Sequence, residues 1–203
     1  MTKPTLYLDI DGVLNAIPRE IAPPGYSVRM MDGFTIHLHT ELPAMVTALR
    51  EHFDIVWFTL WNERAPLLMG PQVGLPDTPY LFTSWHIGEQ VMLDQGYPPA
   101  AIDRVLYAKS PILAMEADRA TQWVWIDDAH GHYDHAYLTQ EGFDPANFRL
   151  LRTDLRTGLT WADVERAIAW VPELGVVAEG FETRSGTHHG PGSTAGRAEA
   201  VGE

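Results

Sequence analysis

The sequence predicts an α/β fold, a mostly parallel sheet with helices on both faces. Short, nearly continuous apolar runs such as Leu6–Leu8, Ile55–Phe58 and Trp123–Ile126 read as strands buried on both sides. Segments with helical apolar spacing alternate with them, the rhythm of a parallel sheet. Polar residues suited to chemistry recur where the runs end, and ligands of such sheets sit at the carboxyl ends of strands.

The first run passes into Asp9-Ile10-Asp11-Gly12. Residues i and i+2 of a strand point the same way, so Asp9 and Asp11 face one pocket if the strand persists. Taken alone, the motif also reads as an Asp turn closed by glycine. An insertion from Asn15 to Thr40 follows, and Asp32-Gly33 between Tyr26–Met31 and Phe34–His39 marks it as a β-hairpin flap. Thr40 is expected to cap a helix to about His52, with Leu42, Met45, Val46 and Leu49 as its apolar stripe. Asp54–Thr59 is the second core strand.

From Asn62 the pattern is helical to about Met69, and Gly70-Pro71 is expected to break it before a Pro-rich stretch to Pro79. A short strand at Tyr80–Thr83, a helix around Gly88–Gln95 and a core segment ending near Lys109 come next. Ser110-Pro111 reads as an N-cap and first turn of a helix to about Ala120. Gln122–Ile126 is a buried strand ending at Asp127-Asp128, and Phe148–Arg152 is the last strand. Thr160 caps a closing helix to about Val171. Residues 1–172 therefore form one domain, and the Gly-, Ala- and Ser-rich residues 173–203 are expected to be a disordered tail.

Composition narrows the partners. A net charge of −13 argues against broad electrostatic binding to nucleic acid or anionic membranes, which needs a basic face, while leaving room for local basic patches. Cysteine is absent, which removes disulfides, thiolate metal sites and a Cys nucleophile. With no apolar leader after Met1 and no run of about 18 apolar residues, the chain is expected to be soluble and cytoplasmic. Lysine occurs only at Lys3 and Lys109 against twelve arginines, which suggests a need for a compact ammonium charge at the interior lysine.

Asp9 with Asp11, then Thr59, Lys109, and Asp127 with Asp128, follow one another at expected strand ends. In this order, and most specifically in DIDGVLN and VWIDDAH, they resemble the haloacid dehalogenase (HAD) superfamily, a Rossmann-like group rich in magnesium-dependent phosphatases, which implies a Rossmann-like sheet here. The resemblance covers about residues 5–172. It implies that Asp9 is a nucleophile forming an aspartyl-phosphate and that Asp11 is general acid and then base. It further implies that Thr59 and Lys109 hold the transferring phosphoryl group, with Gly12, Trp61 and Asn62 at the substrate. Mg²⁺ would be bound by Asp9, the Asp11 carbonyl and one of Asp127 and Asp128. Asp128 is favoured as the direct ligand and Asp127 as the group orienting Lys109, although the two roles can be exchanged.

Asp127, Asp128, His130, His132, Asp134 and His135 within nine residues offer a rival transition-metal set, but Gly131 and the spacing favour a solvated loop with His130 and His132 at the rim. The first insertion is long enough only for a flap and the second, Trp61 to Ala108, is partly taken up by core helix and strand, so a minimal cap and an open site are expected, which suits a phosphate on a macromolecule without excluding a small metabolite. The wording DIDGVLN, WFTLWNERA, GLP, VWIDD and GLTWADVERAIAWV resembles the small bacterial HAD-type domains associated with RNA repair proteins. That resemblance implies removal of a terminal phosphate from a polynucleotide. Trp61, Trp85 and Tyr26 are candidate base-stacking rings, with core or flap packing as their ordinary use. Two rival functions remain open. A phospho-receiver uses similar residue types but places its acid pair first and its lysine last. A catalytically silent phosphate- or partner-binding module would keep the fold alone.

Overall fold

A computed structural model describes residues 3–18, 24–102 and 109–179. Four parallel strands form the central sheet: β1 (Thr5–Leu8), β5 (Asp54–Trp57), β6 (Trp123–Asp127) and β7 (Phe148–Arg152), in the order β5-β1-β6-β7. The chain moves from β1 to one side and then returns to the other, so the crevice at the carboxyl end of β1 is a topological switch point.

Period-2 alternation assigns the strand residues to two cores. Leu6, Leu8, Val124 and Ile126 face a cluster with Leu42, Met45, Val46 and Leu49 of α1 (Leu42–His52) and with Val164, Ala167 and Trp170 of the closing helix, Trp161–Glu179. Tyr7, Trp123 and Trp125 point the other way, onto residues from α3 (Trp85–Asp94), α5 (Lys109–Glu116) and α6 (His132–Gln140). Helices thus cover both faces, as the unbroken apolar runs require. No helix among the described residues is long and apolar enough to cross a membrane.

The flap is a three-stranded antiparallel sheet of β2 (Asn15–Ala16), β4 (Phe34–His39) and β3 (Tyr26–Met31). Its hairpin turns at Asp32 and Gly33, both with positive φ (47° and 82°), the backbone of a two-residue type I′ turn.

Several boundaries differ from the sequence reading. Glu41, not Thr40, occupies the N-cap of α1 without a side-chain cap bond, and Pro43 in the first turn needs no N–H partner there. Gly70-Pro71 does not break the helix. A π-helical turn at Ala65–Met69 runs straight into α2 (Gly70–Val73), and Gly74 in the left-handed region ends it. Gly70 is needed for space, since a Cβ there would lie 2.4 Å from the Leu75 carbonyl oxygen. Tyr80–Thr83 forms no strand beyond one parallel bridge from Tyr80 to Trp57, which covers the outer edge of β5. A single turn, α4 (Pro99–Ile102), follows α3. The core segment expected to end near Lys109 falls at residues 103–108, outside the described residues. Ser110 lies within α5 rather than capping it.

The loop expected after Asp128 is instead α6. The carboxylate of Asp134 accepts a hydrogen bond from the Gly131 N–H (2.8 Å) and caps the helix start. The last helix, α7 (Trp161–Glu179), continues beyond Val171, and residues 180–203 of the expected tail lie outside the described residues. Thr160 and Asp163 cap its start: the Asp163 carboxylate accepts from both the Thr160 N–H (2.9 Å) and hydroxyl (2.6 Å).

Candidate active site

Asp9 follows β1 directly, and Asp127 closes the neighbouring strand β6, so parallel pairing brings the two carboxylates together at the switch point. Lys109, the first described residue of α5, lies between them. Its ammonium Nζ is 2.9 Å from Asp9 Oδ2 and 2.6 Å from Asp127 Oδ2, and all three side chains are buried. Nζ also lies 5.7 Å over the centre of the Phe58 ring, a further site of favourable charge.

The carboxylates differ in electrostatics. Burial and the adjacent charge of Asp127 outweigh the opposing effect of Lys109 and raise Asp9 to about 7. Burial pushes Asp127 upward too, but the Lys109 charge and hydrogen bond, with the Ala129 N–H, hold it below the usual carboxylate range. Burial works against the charge on Lys109, yet its two acidic partners hold it above the ordinary lysine value.

Asp127 has little capacity left. Its Oδ2 accepts from Lys109 Nζ and from the Trp125 indole N–H (3.2 Å), and its Oδ1 accepts from the Ala129 N–H (2.9 Å). Asp128 is half-buried, and burial and Asp127 raise its carboxyl. Gly12 gives it room: a Cβ at Gly12, whose φ is +75°, would lie 2.4 Å from Asp128 Cγ. Thr153 fixes that approach by donating its hydroxyl to the Gly12 carbonyl at 2.8 Å, and Arg152 Nε donates to the Asp128 carbonyl at 2.8 Å.

Oxygen atoms of Asp9, Asp127 and Asp128 lie within 4.8 Å of one another, the one metal-compatible acidic or histidine group among the described residues. An all-carboxylate set suits a hard cation such as Mg²⁺, and the existing bonds of Asp127 leave Asp9 and Asp128 as the better donors. The histidines are not part of this group. His130 is buried against Trp125, with ring centres 5.0 Å apart, and is not a rim residue, because the turn into α6 draws it beneath the surface. His132 is exposed at the start of α6.

Asp11 faces a different set of partners. Its Oδ1 accepts from Asn15 Nδ2 (2.7 Å) and its Oδ2 from the Trp61 indole N–H (2.8 Å). Asn15 Oδ1 in turn accepts from the His37 N–H of the flap at 2.9 Å. Asp11 also lines a cavity of about 410 Å³ with Phe34, Ile36, Trp61 and Arg64, between the flap and the segment after β5. Thr59 is buried two residues beyond β5, and its hydroxyl oxygen accepts from the Trp61 N–H at 3.4 Å. Asn62 is turned to other work: from a left-handed backbone (φ 48°) its amide bonds both the N–H and the carbonyl of Thr83, at 2.7 and 3.0 Å.

Of the stacking candidates, Trp61 is buried and bonded to Asp11, Tyr26 donates its hydroxyl to the Thr157 carbonyl at 2.5 Å, and Trp85 is exposed at the start of α3. Sequence reading missed Asn15 and Trp125 as partners of the acids. The period-2 spacing of Trp125 and Asp127 on one strand carried that signal, as did Asn15 inside DIDGVLN.

The model of the HAD domain in Swiss Army Knife RNA repair proteins matches residues 5–164. Among solved structures, a putative HAD family hydrolase from Streptomyces avermitilis MA-4680 is similar at 17% identity, covering 85% of this chain and 93% of that chain with a TM-score of 0.39. No curated protein matches the chain.

Proposed function

The chain belongs to the family of HAD domains found in Swiss Army Knife RNA repair proteins, and from that premise we propose that it is a magnesium-dependent phosphomonoesterase working through an aspartyl-phosphate. One observation supports this above the others: the Lys109 ammonium bridges Asp9 and Asp127 at 2.9 and 2.6 Å while Asp128 stands beside them. A phosphoryl dianion repels an anionic nucleophile, and a buried positive charge at the nucleophile counters that repulsion.

Asp9, with Asp128 and the Asp11 carbonyl, would hold the cation. When bound it supplies Lewis-acid neutralisation of the phosphoryl oxygens. Asp9 Oδ attacks phosphorus and the ester P–O bond breaks. Asp11 gives its proton to the departing alkoxide, then removes one from the water that attacks phosphorus and frees Asp9 as inorganic phosphate leaves. Lys109 holds the nucleophile and the phosphoryl oxygens in register, and the Thr59 hydroxyl donates to the same group. Asp127 acts through Lys109, which it positions. Trp61 serves Asp11 rather than a substrate base, and Asn62 keeps the loop after β5 in place through Thr83.

The substrate reading is a terminal phosphate on a polynucleotide, supported by the family match. The test is phosphate release from sugar, nucleotide, oligonucleotide and phosphopeptide esters, with Mg²⁺ or EDTA, using wild type and Asp9→Asn. Metal-dependent release that is lost in the variant, fastest on 3′- or 5′-phosphorylated oligonucleotides, is expected. Comparable release by Asp9→Asn would overturn the covalent mechanism, and equal rates on small esters would overturn the polynucleotide substrate.

A further inference from the structure

Next to the acid centre lies a groove that the mechanism does not use. It measures about 500 Å³ and runs along β7 and the start of α6, with His130, His132, His135, Phe148, Arg149 and Arg152 in its wall. No carboxylate lines it, in a chain with 27 acidic and 14 basic residues. The acid in the first turn of α6, Asp134, is buried and bonded to Ser110 and to the Gly131 N–H, so its charge faces inward.

Arg152 belongs to two depressions. It also lines one of about 700 Å³ with Asp128, Thr153, Asp154 and Arg156, where the Asp154 carboxylate accepts from the Arg156 N–H at 2.8 Å. A row of exposed guanidinium and imidazole groups, Arg156, Arg152, Arg149, His135 and His132, therefore leads away from Asp128. The row follows the open edge of the sheet. The Trp57 N–H and carbonyl of β5 are paired with Pro79 and Leu81, whereas β7 has no strand beyond it among the described residues.

We propose that this groove holds the sugar–phosphate backbone of a single-stranded polynucleotide whose terminal phosphomonoester lies at Asp9. The inference rests on the phosphatase reading above. Three considerations select this ligand. Guanidinium forks match phosphate oxygens in pairs. Three guanidinium groups spread along an edge suit an anion that repeats, where a single small phosphate ester would use one of them. The row also begins at the centre that would process the strand's end, so binding and chemistry share one ligand.

The experiment compares wild type with Arg149→Glu and with Arg156→Glu, two exposed positions outside the catalytic set, with melting curves to confirm folding. Terminally phosphorylated oligonucleotides and p-nitrophenyl phosphate are hydrolysed side by side, and binding of unphosphorylated oligonucleotide is titrated against salt. Each variant should raise KM for the oligonucleotide about tenfold, leave p-nitrophenyl phosphate within about twofold, and flatten the salt dependence by about 0.7 for each phosphate no longer neutralised. Unchanged oligonucleotide binding and KM in both variants would overturn the groove, as would equally strong competition by an acidic phosphopeptide. Hydrolysis of p-nitrophenyl phosphate without oligonucleotide binding overturns the groove alone. Salt-dependent binding by wild type that both variants weaken, with no release from any ester, supports the groove and overturns the phosphatase reading.

Discussion

Asp9 carries the sharpest conflict in the molecule, since burial and Asp127 raise it to about 7 although Lys109 lies 2.9 Å away. A carboxyl raised in the folded state binds more protons than the unfolded chain between its two values. Its contribution is therefore full below about 4 and is lost as pH rises through about 7. In EDTA, the stability of wild type should fall across that window more steeply than that of Asp9→Asn, and chemical denaturation at a series of pH values measures the difference. An identical slope would place the titration elsewhere. Asp11 is governed by geometry, with Asn15 and Trp61 donating to its two oxygens. Hydrogen bonds to a charged group contribute about 1.5–3 kcal/mol, so Trp61→Phe should lower kcat by roughly tenfold or more with KM little changed. A loss confined to KM would return Trp61 to substrate binding.

At the scale of elements, the turn after β1 depends on Gly12 for two separate reasons: a φ of +75° and the approach of Asp128. Gly12→Ala should displace the Asp128 carboxylate and weaken Mg²⁺ binding, as titration calorimetry would show, beyond the roughly 1 kcal/mol expected for backbone strain alone. Unchanged affinity would remove Asp128 from the metal set. The flap is connected to chemistry through Asn15, which pairs in β2, bonds Asp11 and accepts from the His37 N–H. The exposed ion pair between Arg64 and Asp32 at its tip, 2.6 Å long, contributes little by comparison. Arg64→Ala should shift the melting temperature by no more than about 2–4 °C.

For the whole molecule, three carboxylates around one lysine at the switch point leave excess negative charge that a divalent cation would offset. A ligand at about 100 times its Kd stabilises by about 2.7 kcal/mol, so saturating Mg²⁺ should raise the melting temperature by roughly 5–10 °C in wild type and far less in Asp128→Asn. An equal rise in both would place the ion outside this centre. Much of this arrangement was legible in the chain. Apolar runs with period-2 alternation dictate a sheet buried on both faces, Asp32-Gly33 dictates the hairpin, and Asp9, Lys109 and Asp127 stand at element ends where a parallel sheet gathers them. The local pattern could not show that α6 exists, because Asp134 caps it while bonding Ser110 from another helix. Nor could it show which acid has oxygens to spare, that Trp61 reaches Asp11 across 50 positions, or that basic residues of an acidic chain share one groove. Periodicity and backbone chemistry are properties of neighbours in sequence, whereas burial, hydrogen-bond saturation and field are set by neighbours in space, and only the tertiary structure decides those.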